Sequence, residues 1–267
     1  MNELYETIDV ELRAPFAFIT LNRPDVRNAM NQQMVSDLRK AFAMLEVNRE
    51  IRGIVLTGAG NTFCSGGDLH EMQAAYTDSH YDSTNSTANF DQMLEAIVHA
   101  PQVVIARVNG AAMGGGLGLV CAADIAIAST DAVFGFPEVR LGIVPALISP
   151  YVIAQIGQAN ARRLMLTGTR FNAEAALAYG FVTSIHAPGA LDEAVEAILA
   201  ELRLCAPGAL AACKRLINHI AAHDFSATSD FRAQLLDERR RSAEGQEGMQ
   251  AFISRRKPEW AQHDDGQ

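Results

Sequence analysis

The chain has 267 residues, 49% of them hydrophobic, which is enough for one large domain with a full core, with or without an appendage. The net charge of −9 and the lack of a lysine- or arginine-rich block in the sequence argue against a nucleic-acid partner. No apolar run approaches the length of about 18 residues that a membrane span needs, and the acidic N-terminus carries no apolar signal segment, so we expect a cytoplasmic protein.

The first part of the chain predicts strands and helices in alternation. Residues 5–12 and 16–21 alternate apolar with polar or small side chains around Pro15, which indicates a β-hairpin. Asn31 follows a stretch of turn-forming residues and is positioned to cap an amphipathic helix. Further strand-like runs begin at Gly53, Val103, Asp124 and Ala132. Helix-like sequence follows runs of this kind within a few residues, so the predicted fold class is α/β.

From Ala146 onward the sequence predicts helices almost throughout. The segments with helical periodicity are 161–166, 173–179, 191–204, 208–220 and 231–241. We interpret residues 191–267 as a helical region appended to a core of residues 1–190. The apolar stripes of these helices predict contact between copies of the chain. Residues 73–88 are polar and rich in Ser, Thr and Asp, and we expect them to be mobile.

Several residue patterns that would carry other chemistry are incomplete in this sequence. Neither Ser65 nor Cys64 lies on a G-x-S-x-G elbow, and both are expected to be buried small residues. His219 and His223 lack the glutamate and the third ligand of a zinc site, so no metal is expected. No glycine fingerprint for a nucleotide cofactor is found. The chain has four cysteines without metal-site spacing, which we expect to be free thiols: Cys64, Cys121, Cys205 and Cys213.

Two glycine-rich turns and one glutamate carry the functional signal. The runs FCSGGDLHEM from Phe63 and NGAAMGGGLGL from Asn109 each follow a strand-like segment and open a helix-like one. Free backbone N–H groups at such helix starts favour negative charge, and two such turns aimed at one point would form an oxyanion hole. For either turn alone, close packing of a helix on a sheet is the alternative explanation. Glu138, in the run FPEVRLGIVP, is the candidate proton carrier, and its apolar neighbours are expected to raise its pKa.

Six blocks of the sequence resemble the signature blocks of the crotonase superfamily, the enoyl-CoA hydratases and isomerases. In chain order they are NRPDVRNAMN, FCSGGDLHEM, NGAAMGGGLGLVCAADIAIA, FGFPEVRLGIVP, LTGTRFNAEAALAYGFV and EGQEGMQAFISRRKPEW. The resemblance implies a crotonase-like spiral of ββα units with a helical C-terminal region that mediates trimers, usually paired into hexamers. It also implies acyl-CoA thioester substrates, in which coenzyme A is part of the substrate and no separate cofactor is needed.

The resemblance also implies roles for individual residues. It places the oxyanion-hole N–H groups at Gly67 and Gly115 and the acid/base carboxylate at Glu138. His70 stands where many relatives have a lysine near the CoA phosphates, so its contact would be weaker and pH-dependent. The residues that would bind the acyl-CoA are Arg27, Ala29, Gly67, Asp68, Leu69, His70 and Gly115.

Gly118 departs from the pattern of the family's best-known hydratases. Those enzymes read GGGCE or GGGLE, with a glutamate as the second catalytic carboxylate, whereas this chain reads GGGLG. Water addition uses one group to activate water and one to protonate Cα, while moving a double bond needs a single base. On this chemistry alone, Glu138 without a second carboxylate favours an isomerase.

A closer likeness favours a hydratase instead. The runs GIVPALISPYV and EGQEGMQAFISRRKPEW resemble bacterial methylglutaconyl-CoA or carboxygeranoyl-CoA hydratases, several of which carry glycine at this position. Hydration is therefore the first interpretation, with Glu138 moving both protons and with water held by backbone groups near Gly118 or by a side chain that the sequence does not identify. The alternatives are an isomerase and a catalytically silent acyl-CoA-binding oligomer. Arg140 is a candidate contact for a substrate carboxylate, with a structural ion pair as its alternative.

Overall fold

The protein is described by a computed structural model that covers residues 5–77 and 83–262. Its strands are β1 (Ile8–Arg13), β2 (Phe16–Leu21), β3 (Gly53–Gly58), β4 (Thr62–Cys64), β5 (Val103–Val108), β6 (Ala111–Met113), β7 (Ile125–Ser129), β8 (Val133–Gly135), β9 (Phe171–Asn172) and β10 (Ser184–His186). Its helices are α1 (Gln32–Glu46), α2 (Leu69–Thr77), α3 (Ser83–His99), α4 (Gly115–Ala122), α5 (Ser149–Thr167), α6 (Ala173–Tyr179), α7 (Leu191–Arg203), α8 (Pro207–Ala222), α9 (Ser229–Arg241) and α10 (Ala243–Ile253). The α/β prediction is confirmed.

The larger sheet has the strand order β1-β2-β3-β5-β7-β10. β1 and β2 pair antiparallel as the predicted hairpin, with Ile8 opposite Leu21 and Arg13 opposite Phe16. The other neighbouring pairs of this sheet, β2–β3, β3–β5, β5–β7 and β7–β10, are parallel. The Asn31 cap is also confirmed, because its side-chain oxygen accepts the backbone N–H of Met34 at 2.9 Å.

Helices cover both faces of the larger sheet. Because side chains alternate along a strand, the adjacent β3 residues Ile54 and Val55 point to opposite faces. Ile54 belongs to the main core with α1 residues such as Leu38, while Val55 packs with Leu199 of α7. The apolar stripe of α7 is therefore covered by the chain's own sheet, although the sequence placed this helix in the appended region. The division at residue 190 stays a prediction.

The remaining C-terminal helices follow the predicted segments, with α10 as an addition that the sequence analysis did not identify. These helices and the turn between α8 and α9 carry exposed apolar side chains, including Ile217, Phe225, Leu236, Phe252 and Ile253. Residues 73–77 and 83–88, which the sequence placed in a mobile segment, lie in α2 and α3, while residues 78–82 lie outside the described residues. None of the helices described in residues 5–77 and 83–262 is both long and apolar enough to cross a membrane.

The smaller sheet, in the order β4-β6-β8-β9, positions the glycine turns. β4 pairs in parallel with β6, and β6 in parallel with β8, while β9 closes the edge antiparallel to β8. The carboxyl ends of neighbouring parallel strands meet at one edge of a sheet, which is where open α/β sheets bind ligands. All three functional turns leave the strands at this edge.

Candidate functional site

The turns that follow β4, β6 and β8 come into direct contact. Gly66 has φ of +98°, and a Cβ built on it would lie 3.0 Å from the Met113 carbonyl oxygen and 3.7 Å from the Gly115 nitrogen. Gly114 has φ of +48°, and its Cβ would lie 2.5 Å from Oε1 of Glu138. Glycine is required at both positions by conformation and by space. The structure therefore brings the two predicted turns and the predicted carboxylate to one place.

Two backbone N–H groups of these turns are left without an acceptor. The backbone N–H of Met30 donates to the Gly66 oxygen, and the Met30 oxygen accepts from the Asp68 nitrogen, both at 2.8 Å. The N–H of Gly67, which lies between these two residues, takes no part in this pairing. Gly115 is the first residue of α4, where N–H groups have no partner within the helix. In residues 5–77 and 83–262 no oxygen accepts from either N–H, so both are available to a ligand.

Glu138 combines burial with an unused oxygen. It starts a short 3-10 turn, Glu138–Leu141, two residues after the fully buried Phe136, and its side chain is half-buried. Oε2 is buried and has no hydrogen-bond partner among the described residues. Burial raises the pKa of Glu138, and a hydrogen bond from its own backbone N–H offsets the rise in part. A carboxyl group with a raised pKa is better suited to holding and releasing a proton than an exposed one.

A cavity of about 1050 Å³ opens onto these groups. Most of the predicted site residues line it: Arg27, Ala29, Gly67, Asp68, Leu69, His70, Gly115 and Glu138. The candidates Gly118 and Arg140 do not. The volume is sufficient for a ligand of ordinary cofactor or metabolite size.

The Arg27–Ala29 turn is held by a buried asparagine. Arg27 and Asn28 have φ of 55° and 54°, in the left-handed region. The Asn28 side chain donates to the carbonyl oxygens of Ala59 at 2.9 Å and Thr62 at 2.8 Å, and it accepts from the Arg23 nitrogen at 2.9 Å. These bonds fix the turn against the start of β4.

Asp68 joins the two loops that line this end of the cavity. The Arg23 guanidinium donates to Asp68 Oδ2 at 2.9 Å and to the Ala29 oxygen at 2.6 Å. Asp68 Oδ1 accepts from the nitrogens of His70 at 3.1 Å and Glu71 at 3.4 Å, at the start of α2. Burial acts to raise the pKa of Asp68, but these hydrogen bonds prevail and lower it. The carboxylate thus positions the loops, with Arg23 as a partner that the sequence analysis missed.

Gly118 packs inside the fold and does not line the cavity. It is buried in α4, its N–H donates to the Gly114 oxygen at 3.2 Å, and a Cβ on it would lie 2.3 Å from Cγ2 of Ile148. Ile148 lines the cavity where Gly118 does not. The side chain of Ile148 therefore fills the space that a second carboxylate would need, and the Gly118 N–H is not free to hold water.

Substituting Gly118 tests this packing. We expect Gly118→Ala to lower the free energy of unfolding by about 1–3 kcal/mol, because the added methyl group overpacks against Ile148. Ile148→Ala alone should cost about 2–5 kcal/mol as a cavity mutation, and the double variant should cost less than the sum of the two. Urea denaturation measures all three, with Gly189→Ala as the control, since nothing lies within 4 Å of a Cβ there. Strict additivity would contradict the expected contact.

The side chain of Arg140 lies at the C-terminal end of α5. Its Nε and Nη2 both donate to the Thr167 carbonyl oxygen at 3.3 Å, and its side chain crosses Gly168, where a Cβ would lie 2.9 Å from Nε. A cation at the end of a helix stabilises its last carbonyl groups, so Arg140 caps α5. It is absent from the lining of the 1050 Å³ cavity, which argues against contact with a substrate carboxylate.

The remaining candidates from the sequence are two possible nucleophiles, Cys64 and Ser65, and two possible zinc ligands, His219 and His223. Cys64 is buried, and burial raises the pKa of its thiol to about 12, so it is protonated near neutral pH. Ser65 is only half-buried, contrary to prediction, and its hydroxyl lies 3.4 Å from a backbone oxygen. The rings of His219 and His223 stack at 4.1 Å between centroids, and His219 also stacks on Phe231 at 3.8 Å.

Apolar side chains from α2, α3 and the segment before α1 complete the cavity, and sequence reasoning did not single them out. A Cβ on Gly115 would lie 2.6 Å from Cε of Met30 and 3.5 Å from Cζ of Phe90, while one on Gly67 would lie 3.2 Å from Sδ of Met72. In the sequence such residues have the same periodicity as core residues, so no pattern separates a cavity wall from a core.

Comparison with known proteins finds relatives over the whole length of the chain. Residues 11–263 match the family model for enoyl-CoA hydratase/isomerase. A probable enoyl-CoA hydratase of Rhizobium meliloti (strain 1021) is 33% identical over 259 residues, 96% of this chain and 98% of the relative. Among solved structures, Pseudomonas aeruginosa AtuE is 43% identical with a TM-score of 0.93 over 96% of this chain and 100% of its own. An enoyl-CoA hydratase/isomerase from Marinobacter aquaeolei is 39% identical with a TM-score of 0.91, over 96% of this chain and 99% of its own.

Proposed function

Since this chain belongs to the enoyl-CoA hydratase/isomerase family, we propose that it is a hydratase that adds water to a 2-enoyl-CoA thioester. One structural observation carries the proposal. The half-buried carboxyl group of Glu138, with an unpartnered oxygen, adjoins two glycine turns whose N–H groups have no acceptor among the described residues. Several similar proteins are themselves described as probable or putative enoyl-CoA hydratases, which supports hydration.

The two free N–H groups supply the electrostatic part of the mechanism. In the proposed complex, Gly67 and Gly115 donate to the thioester oxygen, where negative charge develops as the enolate forms. Fixed donors of this kind stabilise the transition state without reorganisation, and loss of one typically costs about 10²–10³ in rate. The loops at Arg27–Ala29 and Asp68–His70, which line the same cavity, hold the coenzyme A portion.

Glu138 supplies the proton transfers. Its carboxylate takes a proton from water while the water oxygen bonds to the β-carbon, and the electrons of the double bond move onto the thioester oxygen. The protonated carboxyl then delivers that proton to the α-carbon, so that one water molecule has been added and Glu138 is ionised again. The raised pKa supports both steps, because a general acid–base catalyst works best when its pKa approaches the working pH.

Ile148 favours a second candidate function, an isomerase. Because its side chain occupies the space beside Gly118, Glu138 has no second carboxylate there. Moving a double bond from the 3- to the 2-position requires one base that shifts one proton between two carbons. A silent acyl-CoA binder is the third candidate, since it needs only the cavity.

Two absorbance assays and one binding measurement distinguish the three candidates. A hydratase is expected to remove the conjugated thioester absorbance when it is added to a 2-enoyl-CoA. An isomerase would create that absorbance from a 3-enoyl-CoA and leave the 2-enoyl-CoA unchanged. A silent oligomer would bind acyl-CoA esters, measured by calorimetry, without either change. Hydration that needs no Glu138 would contradict the proposed mechanism.

We also propose that the protein is a homo-oligomer, a trimer or a dimer of trimers. The exposed apolar side chains of the C-terminal helices support contact between copies, because exposed clusters of this kind are a feature of protein interfaces. The molar mass in solution, measured by light scattering, tests the proposal.

A further inference from the structure

Arg23 holds the loop that carries the Gly67 N–H, although Arg23 does not line the cavity. Its side chain is 21% exposed, and a single guanidinium nitrogen, Nη1, donates to the Ala29 oxygen at 2.6 Å and to Asp68 Oδ2 at 2.9 Å. Nη1 carries two N–H groups, so these two bonds use both of its hydrogens. Arg23 can therefore affect a ligand only through the residues that it holds.

Two peptide groups connect Arg23 to the Gly67 N–H. The Ala29 oxygen and the Met30 N–H belong to one peptide group, and that N–H donates to the Gly66 oxygen at 2.8 Å. The Gly66 oxygen and the Gly67 N–H belong to the second peptide group, and both groups are trans. The C=O and N–H of a trans peptide point in opposite directions, so the bond from Met30 directs the Gly67 N–H away from Met30.

The segment that contains Gly67 is also held from its other side. Asp68 follows Gly67 and donates its backbone N–H to the Met30 oxygen at 2.8 Å, while its carboxylate accepts from Arg23. Arg23 thus holds both segments of this short pairing. The backbone of Arg23 is itself fixed, because its oxygen accepts from the Asn28 nitrogen and its nitrogen donates to the Asn28 side chain, each at 2.9 Å.

A positive charge at the start of this chain of hydrogen bonds strengthens the donor at its far end. Hydrogen bonds that share a peptide group polarise one another, and a bond from a charged donor is stronger than one from a neutral donor. The order of groups is guanidinium, Ala29 oxygen, Met30 N–H, Gly66 oxygen and Gly67 N–H. The guanidinium also offsets the charge of Asp68, which follows Gly67 in the chain and would otherwise disfavour negative charge nearby.

We propose that Arg23 is a positioning residue for the oxyanion hole, which orients and polarises the Gly67 N–H through two peptide groups. The inference rests on the proposed function in taking the Gly67 N–H as a donor to the thioester oxygen. Arg23 lies outside the cavity wall, so its loss should weaken stabilisation of the enolate more than binding of the ground state.

The stretching vibration of a bound thioester carbonyl tests the donor without turnover. The probe is butyryl-CoA labelled with a heavy carbon isotope at the thioester carbon, a saturated ester that can be neither hydrated nor isomerised. Hydrogen bonds to a carbonyl oxygen lower its stretching frequency, so we expect a lower infrared frequency for the ester bound to the wild type than for the free ester. In Arg23→Met, which keeps an unbranched side chain without N–H donors, the lowering should be smaller.

Steady-state kinetics on a 2-enoyl-CoA provides the second measurement. We expect Arg23→Met to lower kcat on the order of 10-fold, less than the about 10²–10³ that loss of a whole oxyanion-hole donor typically costs, because the Gly67 N–H is still present. KM should change by less than about 3-fold, because Arg23 is not part of the cavity wall.

Two further variants control these measurements. Arg107→Met removes an arginine of similar exposure, 19% against 21%, which pairs with Asp192 at 2.7 Å and does not line the cavity. This variant should leave both the carbonyl frequency and kcat unchanged. Arg23→Lys retains the charge and has enough N–H groups for both acceptors, so it should recover part of both effects. It also provides a folded variant if Arg23→Met is destabilised, which the unfolding midpoint would show.

The outcomes separate this inference from the proposed function. A carbonyl frequency that Arg23→Met leaves unchanged would overturn the inference, and so would an equal change in Arg107→Met. A higher KM with an unchanged kcat would overturn it as well, because Arg23 would then serve binding alone. A wild-type protein whose bound carbonyl responds to Arg23 but which hydrates no 2-enoyl-CoA would preserve the inference and refute hydration. Hydration with a carbonyl frequency that does not depend on Arg23 would do the reverse.

Discussion

Replacing Glu138 with Gln is expected to lower kcat for hydration by about 10²–10⁴-fold, the usual effect of removing a general acid–base catalyst. Gln has nearly the same shape as Glu, but its amide can neither accept a proton from water nor return one to the α-carbon. The buried Oε2 has no partner among the described residues, so the substitution breaks no described side-chain contact at that atom. Steady-state kinetics on a 2-enoyl-CoA measures the loss, with an unfolding curve to show that the variant is folded.

The pH dependence of kcat/KM in the wild type should reflect the ionisation of Glu138. Burial raises the pKa of Glu138 above its ordinary value of 4.5. Below that raised pKa the carboxyl is protonated and cannot accept a proton from water, so kcat/KM should rise with pH through it. Glu138→Gln should lose this rise. Glu71→Gln removes another carboxylate from the cavity wall and should keep both the rate and the profile. Near-normal hydration by Glu138→Gln would refute the mechanism.

Replacing Lys214 with Ala is expected to lower the free energy of unfolding by about 3–5 kcal/mol, as removing one partner of a buried ion pair does. The side chain of Lys214 is only 8% exposed. Its Nζ donates to Asp124 Oδ2 at 2.7 Å and to the carbonyl oxygens of Ile97 at 3.1 Å and Gln102 at 3.2 Å. Without it, the partly buried Asp124 carboxylate loses its cation, and α8 loses one of its hydrogen bonds to the end of α3, although Asn218 still donates to the Val98 oxygen there at 3.0 Å.

A double variant distinguishes this charge effect from simple loss of packing. Burial lowers the pKa of Lys214 and raises that of Asp124, so each group is costly to leave charged alone. Lys214→Met combined with Asp124→Asn removes both charges and should cost less than the sum of the single substitutions. Guanidinium denaturation provides the values, with exposed Lys40→Ala as the control, expected within about 0.5 kcal/mol of the wild type. A cost below about 1 kcal/mol for Lys214→Ala would contradict the prediction.

The sequence predicted long and periodic elements well and short ones poorly. The β1–β2 hairpin, the Asn31 cap and the helix at 173–179 follow from alternation, capping chemistry and a 3.6-residue period, which act locally. β4, β6, β9 and β10 have two or three residues each, too few for any period to show. Their places are set by pairing with distant strands, which a local pattern does not encode.

The sequence predicted the site residues that act through the backbone at strand ends. It did not predict the side chains whose position depends on packing against distant residues. Gly67, Gly115 and Glu138 stand at strand ends in recognisable runs, and the structure brings their turns together. The contact of Ile148 with Gly118 joins residues 30 positions apart in the chain. The hydrogen bond from Arg39 to Asn89 joins residues 50 positions apart. Arg140 illustrates the opposite error, because nearness to Glu138 in the chain does not determine which way its side chain turns.

The free N–H groups of Gly67 and Gly115 belong to the main chain, and this has an evolutionary consequence. No substitution other than proline can delete them, provided that the strand ends keep their conformation. The means of gripping a thioester can therefore be inherited unchanged while the surrounding side chains vary. Other residues of the cavity wall, such as Ile148, can then vary and direct the same enolate toward different products.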